Sequence, residues 1–159
     1  MPNSRSRLLE LSKKFKILKN FYFFYNIYLK NFKFLKRPSQ LGEDKYLIKL
    51  FDKSFKGKFL DVGCYHPTRH NNTFIMYKRG WSGINIDLNP FTIELFNYLR
   101  PRDININVGV SDTEEEKKLY FIDEFNTQNT LDNNQLNFLK KHHNIKDTEI
   151  LEKKIMTRN

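Results

Sequence analysis

Several residue types are scarce in this sequence, and each scarcity excludes something. Its 159 residues include one cysteine, Cys64, with six glycines and five prolines, and alanine does not occur. A single cysteine excludes a disulfide framework and is typical of a reducing, cytoplasmic compartment. The best apolar run, residues 21–29, is far shorter than the roughly 20 residues that cross a bilayer, so no membrane-spanning helix is predicted.

What the sequence has in abundance is aromatic side chains and an uneven charge. Aromatic residues make up 15% of the chain and hydrophobic residues 39%, which is enough to fill the core of one domain. Residues 1–37 hold ten Lys/Arg and one acid, Glu10, whereas residues 38–159 hold eighteen Lys/Arg and seventeen acids. The sequence therefore predicts a basic N-terminal arm, 1–37, and a nearly neutral body, 38–159.

The arm carries no helix breaker over residues 8–36, so one or two helices are predicted there. Three interpretations remain open. The helix packs its aromatic face on the body or on a neighbouring chain. Alternatively it lies on a membrane surface, aromatic side chains below and lysines above, which would make the protein peripheral to a membrane. Nucleic-acid binding by a basic, aromatic arm is the least favoured of the three.

The body alternates between strand patterns and helix patterns. Strands are predicted at residues 58–63, 82–90, 104–112, 117–123 and 148–159. Helices are predicted at 39–51 with Ser39 as cap, at 72–80, at 90–100 with Asn89 as cap and Pro90 in first position, and at 131–144. This order predicts an α/β domain with a parallel sheet, and the Val/Ile/Leu-rich strands predict a sheet buried on both faces.

Acidic residues follow three consecutive predicted strands, at the edge where parallel sheets bind ligands. The three strand ends are Asp61-Val-Gly63, Asp87-Leu-Asn89 and Ser111-Asp112. Acids repel phosphate, and the G-x-G-x-x-G pattern is absent, so a dinucleotide enzyme such as an NAD-dependent oxidoreductase is disfavoured. S-adenosylmethionine, which has an ammonium, a sulfonium and a ribose but no phosphate, fits this edge better.

Each residue at this edge has a predicted role toward that cofactor. Gly63 lets the backbone approach the ligand, and Asp61 lies near its amino-acid end. Asp87 accepts hydrogen bonds from both ribose hydroxyls, and Ser111 or Asp112 faces the adenine amino group. The alternative is that the three acids only terminate strands, which is a common use of Asp in turns.

Five blocks of the body resemble the FkbM-type methyltransferases in order and spacing. They read "SQLGEDKYLIKLF", "GKFLDVGCYHP", "NNTFIMYKRGWSGINIDLNP", "LRPRDININVGVSD" and "KKLYFID", and they cover most of residues 38–123. The resemblance implies a Rossmann-like class I methyltransferase fold that uses S-adenosylmethionine. It also implies O-methylation of a sugar or secondary-metabolite hydroxyl.

Within that resemblance, residues match the family's motifs by position. Asp61 and Gly63 match the first cofactor motif, and Asp87 matches the ribose-binding acid. Ser111 and Asp112 match the block after the third strand. The "SQLGED" block either lies near the cofactor or caps the helix that covers it.

The chain departs from the family in two places. Cys64 stands where Ala is usual, and a packing role is predicted because methyl transfer needs no enzyme thiol. The family continues beyond "KKIMTRN", 153–159, into a further strand, a "D-x-E-G"-like block and much of the acceptor pocket. The resemblance therefore implies an incomplete fold, the front part of a methyltransferase. The alternative is a catalytically inactive remnant whose arm binds a membrane surface or a partner.

No catalytic base and no metal site are predicted. His66 and His70 are four residues apart, but Pro67 between them prevents a helical ligand face. No Ser-His-Asp order or nucleophile elbow occurs either.

Overall fold

The computed structural model describes residues 15–123 and 126–159. The helices are α1 (Lys16–Phe24), α2 (Glu43–Leu47), α3 (Phe74–Lys78), α4 (Pro90–Leu99) and α5 (Asn133–His143). The strands are β1 (Lys58–Val62), β2 (Ser82–Asp87), β3 (Ile104–Asn107), β4 (Gly109–Val110), β5 (Glu116–Phe121) and β6 (Leu151–Arg158).

Three strands form a parallel sheet in the order β1-β2-β3, so the α/β prediction is confirmed. The pairing is in register: Leu60 lies beside Ile84, which lies beside Ile104. Among the described residues, β1 pairs with β2 alone, and its other edge has no strand beside it.

The two crossover helices explain how this sheet is covered. The strand order runs in one direction, so two right-handed crossovers place α3 and α4 on the same face. The opposite face, here called the aliphatic face, is open to solvent to a large extent. Its members are Leu60, Val62, Ile84, Ile86, Ile104 and Ile106.

Exposure of the aliphatic face is substantial at both of its margins. Leu60 is 63% exposed and Ile104 is 61% exposed. The expectation that both faces are buried is therefore wrong for this side of the sheet.

A second small sheet has the order β4-β6-β5. β6 runs parallel to β4 and antiparallel to β5, and Leu119, Phe121 and Ile155 form the buried core beside it. The predicted single strand at 104–112 is broken at Val108, where β3 ends and the chain leaves β2 to pair with β6.

The arm packs on the body through α4. After α1 the chain continues as a π-helical turn, Tyr25–Lys30, and a 3₁₀ turn, Phe32–Leu35. Phe23 and Ile27 are buried against Phe91 and Leu95, which confirms the packing interpretation for this side of the arm. The predicted residues 8–14 of the arm lie outside the described ranges. Across the described chain, no helix is both long and apolar enough to cross a membrane.

The remaining helices match their predictions except the first. Helix α2 spans only Glu43–Leu47, because the chain turns at Gly42, which has a positive φ of 96°. Ser39 does not cap this helix. Its hydroxyl donates to the Asp44 carboxylate and accepts from the Gly42 N–H. In contrast, the Asn89 side chain caps α4 by accepting from the Phe91 N–H at 3.0 Å.

Candidate functional site

A cavity of about 420 Å³ opens at the carboxyl ends of β1 and β2. Its size lies within the range of about 300–1,000 Å³ that is usual for small-molecule sites. Its walls come from the loops after both strands, from the chain after β3, and from the loop before α5. The lining residues are Gln40, Val62, Gly63, Tyr65, His70, Ile86, Asp87, Leu88, Asn89, Thr92, Val108, Val110, Asn126, Thr127, Asn129 and Leu131.

Gly63 forms the part of the wall where the chain leaves β1. Its φ is +73°, in the region that disfavours every residue with a side chain. A Cβ placed on it would meet no atom within 4 Å, so the backbone here faces open space. The N–H groups of Gly63 and Cys64 both donate to the Ile86 carbonyl, at 2.9 and 3.2 Å. This turn therefore presents bare backbone to the cavity, as the sequence predicted.

Asp87 supplies the only carboxylate among the described lining residues. Its Oδ2 accepts from the Tyr65 N–H at 2.9 Å, and its Oδ1 accepts from the Asn89 N–H at 2.8 Å. Burial raises the pKa of Asp87, and these two hydrogen bonds oppose that rise. A carboxylate oxygen can accept more than one hydrogen bond, so both oxygens retain accepting capacity toward a ligand.

Asp61 lies elsewhere. Its Oδ2 accepts from Thr73 Oγ1 at 2.7 Å and from Asn71 Nδ2 at 3.1 Å, and it is not among the lining residues. Asn71 and Thr73 in turn accept from Arg100 Nη1, each at 3.1 Å. The structure thus gives Asp61 a place in a polar network on the covered face of the sheet.

Arg100 is the centre of that network. Its Nε donates to Asp103 Oδ2 at 2.8 Å, and both side chains are fully buried. Three aromatic rings surround the guanidinium at 5.0 to 5.1 Å from ring centroids, and they belong to Phe59, Tyr77 and Phe96. Burial lowers the pKa of Arg100, and the Asp103 carboxylate opposes this shift by its charge and its hydrogen bond.

Ser111 and Asp112 also lie outside the cavity lining. Ser111 Oγ donates to Asp112 Oδ1 at 3.0 Å and accepts from Lys117 Nζ at 2.7 Å. Their contact with an adenine stays a prediction, and the part of the lining that follows β2 and β3 and precedes α5 is apolar. This apolar wall is made by Leu88, Val108, Val110 and Leu131.

His70 is a cavity residue to which the sequence assigned no role. Partial desolvation lowers the pKa of His70, and the nearby charges of Arg69 and Lys33 lower it further, which favours the neutral imidazole. It stacks near Tyr65 with 6.4 Å between ring centroids. A neutral imidazole on the cavity wall is able to accept a proton. Two histidines in one short loop were the available signal, but only the fold shows which of them reaches the cavity.

The neighbouring residues of this loop are structural. His66 Nδ1 accepts from the backbone N–H groups of Thr68 and Arg69, and burial lowers the pKa of His66 to about 3. Cys64 is buried beside Ile93 and Phe96, and burial raises the pKa of its thiol, as suits a packing residue.

The charge of the cavity limits its ligands. No lysine or arginine occurs among the described residues that line it, and Asp87 gives it one negative charge. Within residues 15–123 and 126–159, no group of three or more His, Cys, Asp or Glu is arranged to hold a metal ion. The Asp87 carboxylate can accept from a hydroxyl donor or pair with a cation, and the apolar side chains of the lining can pack against a ring.

No family model, no curated protein and no solved structure matches this chain. A function for this chain is therefore inferred from the residues of the cavity.

Proposed function

We propose that this chain forms the cofactor-binding part of an S-adenosylmethionine-dependent methyltransferase with a Rossmann-like fold. One observation carries the proposal: the half-buried carboxylate of Asp87, fixed by two backbone N–H groups, lies on the wall of the cavity that Gly63 also lines. The acceptor is proposed to be a hydroxyl group of a sugar or secondary metabolite, in line with the FkbM-type resemblance.

The parts of the cofactor match the parts of the cavity. The two ribose hydroxyls would donate to Asp87, whose oxygens already point in a direction fixed by Tyr65 and Asn89. The sulfonium and ammonium suit a site with one carboxylate and no basic residue among the described lining. The adenine would contact the apolar wall beside Leu88 and Val108.

The proposed reaction is a direct displacement. When bound, S-adenosylmethionine would supply an electrophilic methyl group to the substrate oxygen, and the electron pair of the carbon–sulfur bond would remain on sulfur. The hydroxyl proton passes to His70, whose neutral imidazole lines the cavity. His70→Gln should therefore slow methyl transfer to a hydroxyl acceptor while leaving cofactor affinity within a few fold of the parent.

Isothermal titration of the full chain with S-adenosylmethionine tests this proposal. We expect saturable heat for the parent and a loss of affinity of about tenfold or more for Asp87→Ala, since a paired hydrogen bond to a charged group is worth about 1.5–3 kcal/mol. Asp52→Ala, which removes an exposed acid outside the cavity lining, is the control and should bind as the parent does. Absence of heat from the folded parent, or equal affinity for both variants, would refute the cofactor assignment. Heat with NADH instead would indicate a dinucleotide enzyme.

A further inference from the structure

The arm has a second apolar side that faces away from the body. Its inner side is occupied by the contact of Phe23 and Ile27 with α4. The outward side carries large side chains that remain exposed over two turns of helix and the turns that follow. They are Ile17, Phe21, Phe24, Tyr25, Leu29 and Phe32, here called the outward face.

The exposure of the outward face is high for side chains of this size. Ile17 is 72% exposed, Phe21 is 68% exposed and Phe32 is 62% exposed. Isolated exposed apolar residues are ordinary, but a continuous patch of them marks an interaction site. The patch is held in place, because the inner side of the same segment is fastened by the ion pair of Lys19 with Glu94 at 2.6 Å.

The charge around this patch identifies its partner. Residues 15–37 contain five lysines and one arginine, and no acidic residue. Lys16, Lys33 and Lys36 are all exposed. A second copy of the arm would bring the same positive charge to the contact, and like charges in contact oppose association. Aromatic and aliphatic side chains flanked by lysines instead match the interface of an anionic membrane.

We infer that the outward face is a docking surface for an anionic membrane. Phe21, Phe32 and their neighbours enter the boundary between headgroups and acyl chains, while the lysines remain at the level of the phosphates. The body stays in water, held to the arm by α4. This inference stands apart from the cofactor cavity, because no residue of the outward face lines that cavity.

Co-sedimentation of the full chain with vesicles tests the inference. We expect the protein to pellet with vesicles of phosphatidylcholine and phosphatidylserine and to remain in solution with phosphatidylcholine alone. Binding should fall at about 1 M salt, where the Debye length is about 3 Å. Phe21→Ser with Phe32→Ser should lower the partition coefficient at least about tenfold. Lys33→Glu with Lys36→Glu should lower it about 25-fold or more, since each lysine near such a surface is worth about fivefold.

Matched controls separate the surface from general hydrophobicity and charge. Tyr46→Ser removes an aromatic side chain that is 74% exposed on α2, and Lys53→Glu with Lys141→Glu reverses two exposed lysines elsewhere. Both should bind as the parent does. Fluorescence of Trp81 during urea unfolding shows that each variant is folded before it is tested.

Three results would overturn the inference. The first is failure of the folded parent to pellet with anionic vesicles under every salt condition tested. The second is a loss of binding in the control variants equal to that in the outward-face variants. The third is a dimer, seen by light scattering without lipid, that the Phe21 and Phe32 changes dissociate, which would assign the outward face to a second copy.

Discussion

The two faces of the three-stranded sheet are built from alternate residues of the same strands, yet their surroundings are opposite. The covered face carries Phe59, Asp61, Asn85 and Asn105, most of them polar, and it lies under α3 and α4. The aliphatic face carries only Leu, Val and Ile in its centre and is largely open. The apolar face is thus the more exposed of the two and the polar face the more covered, which is the reverse of the usual arrangement.

The difference teaches that helix placement, and not side-chain type, decided which face was covered. Two crossovers of the same hand put both helices on one side of the sheet. The polar residues there are tolerated because they bind one another. Asn85 Nδ2, for example, donates to Asp103 Oδ2 and to Asn105 Oδ1. Gly83 completes the fit, because a Cβ there would lie 2.3 Å from the carbonyl oxygen of Phe59.

The largest effect is expected from breaking the covered face at its charged centre. Arg100→Met leaves the buried Asp103 carboxylate without its ion-pair partner, which should lower the free energy of unfolding by about 3–5 kcal/mol. Urea unfolding followed by Trp81 fluorescence measures this. Arg102→Met is the control, because Arg102 is exposed and makes one hydrogen bond, to the Tyr77 carbonyl. It should cost about 1 kcal/mol or less. Equal costs for the two variants would mean that the Arg100 network contributes no more than a surface contact.

A smaller difference in the free energy of unfolding is expected between substitutions at two adjacent residues of β1. Phe59→Ala truncates a half-buried ring on the covered face and should cost roughly 2 kcal/mol, below the range for a fully buried ring. Leu60→Ala truncates a side chain that is 63% exposed on the aliphatic face and should cost less than about 1 kcal/mol. The same urea unfolding experiment compares them. If Leu60→Ala costs as much as Phe59→Ala, the aliphatic face is covered in solution and the contrast between the faces disappears.

The smallest effect is expected from protonation of Asp87, a partly desolvated carboxyl on the wall of the cavity. Burial raises the pKa of Asp87, so this carboxyl takes up a proton at a higher pH than an ordinary Asp. If Asp87 holds the ribose of the proposed cofactor, protonation removes an acceptor for its hydroxyls, so affinity for S-adenosylmethionine should weaken up to about tenfold per pH unit below that pKa. The folded state binds this proton more tightly than the unfolded state does. Acidification through the raised pKa should therefore stabilise the ligand-free fold through this group, and stabilise it less in Asp87→Asn.

Calorimetry at several pH values measures the change in affinity for S-adenosylmethionine. Thermal melting of the ligand-free protein at the same pH values measures the change in stability. The comparison is between the parent and Asp87→Asn. A cofactor affinity that is flat down to the ordinary range of Asp would contradict the assigned contact, because the bound carboxylate must be ionised to accept both hydroxyls.

Local signals in the sequence were sufficient for most of the elements. Val/Ile/Leu runs located β1, β2 and β3, and Asn89 followed by Pro90 located the start of α4. The helix predicted at 39–51 was too long at both ends. The chain turns at Gly42 before α2, and the apolar spacing of the sequence continues beyond its end at Leu47. The break of the third strand at Val108 was missed, since it depends on pairing with β6, some fifty residues away in the chain.

Of the residues predicted to bind the cofactor, Gly63 and Asp87 line the cavity, whereas Asp61, Ser111 and Asp112 do not. A residue at a strand end faces a cavity or a neighbouring network according to which side chains the fold brings near it. For Asp61 these are Asn71 and Thr73, and for Asp112 it is Ser111. The buried Arg100 could not be found from sequence, because arginine is almost never fully buried and its partners come from separate segments.

The ion pair that fastens the arm joins residues 75 positions apart, Lys19 and Glu94. A ribosome adding about 5–20 residues per second needs roughly 4–15 s to make that interval. Lys19 therefore leaves the ribosome by that interval before Glu94 does, and until then both apolar sides of the arm are without α4. The order of synthesis therefore gives a membrane, or a chaperone, the first opportunity to bind the arm.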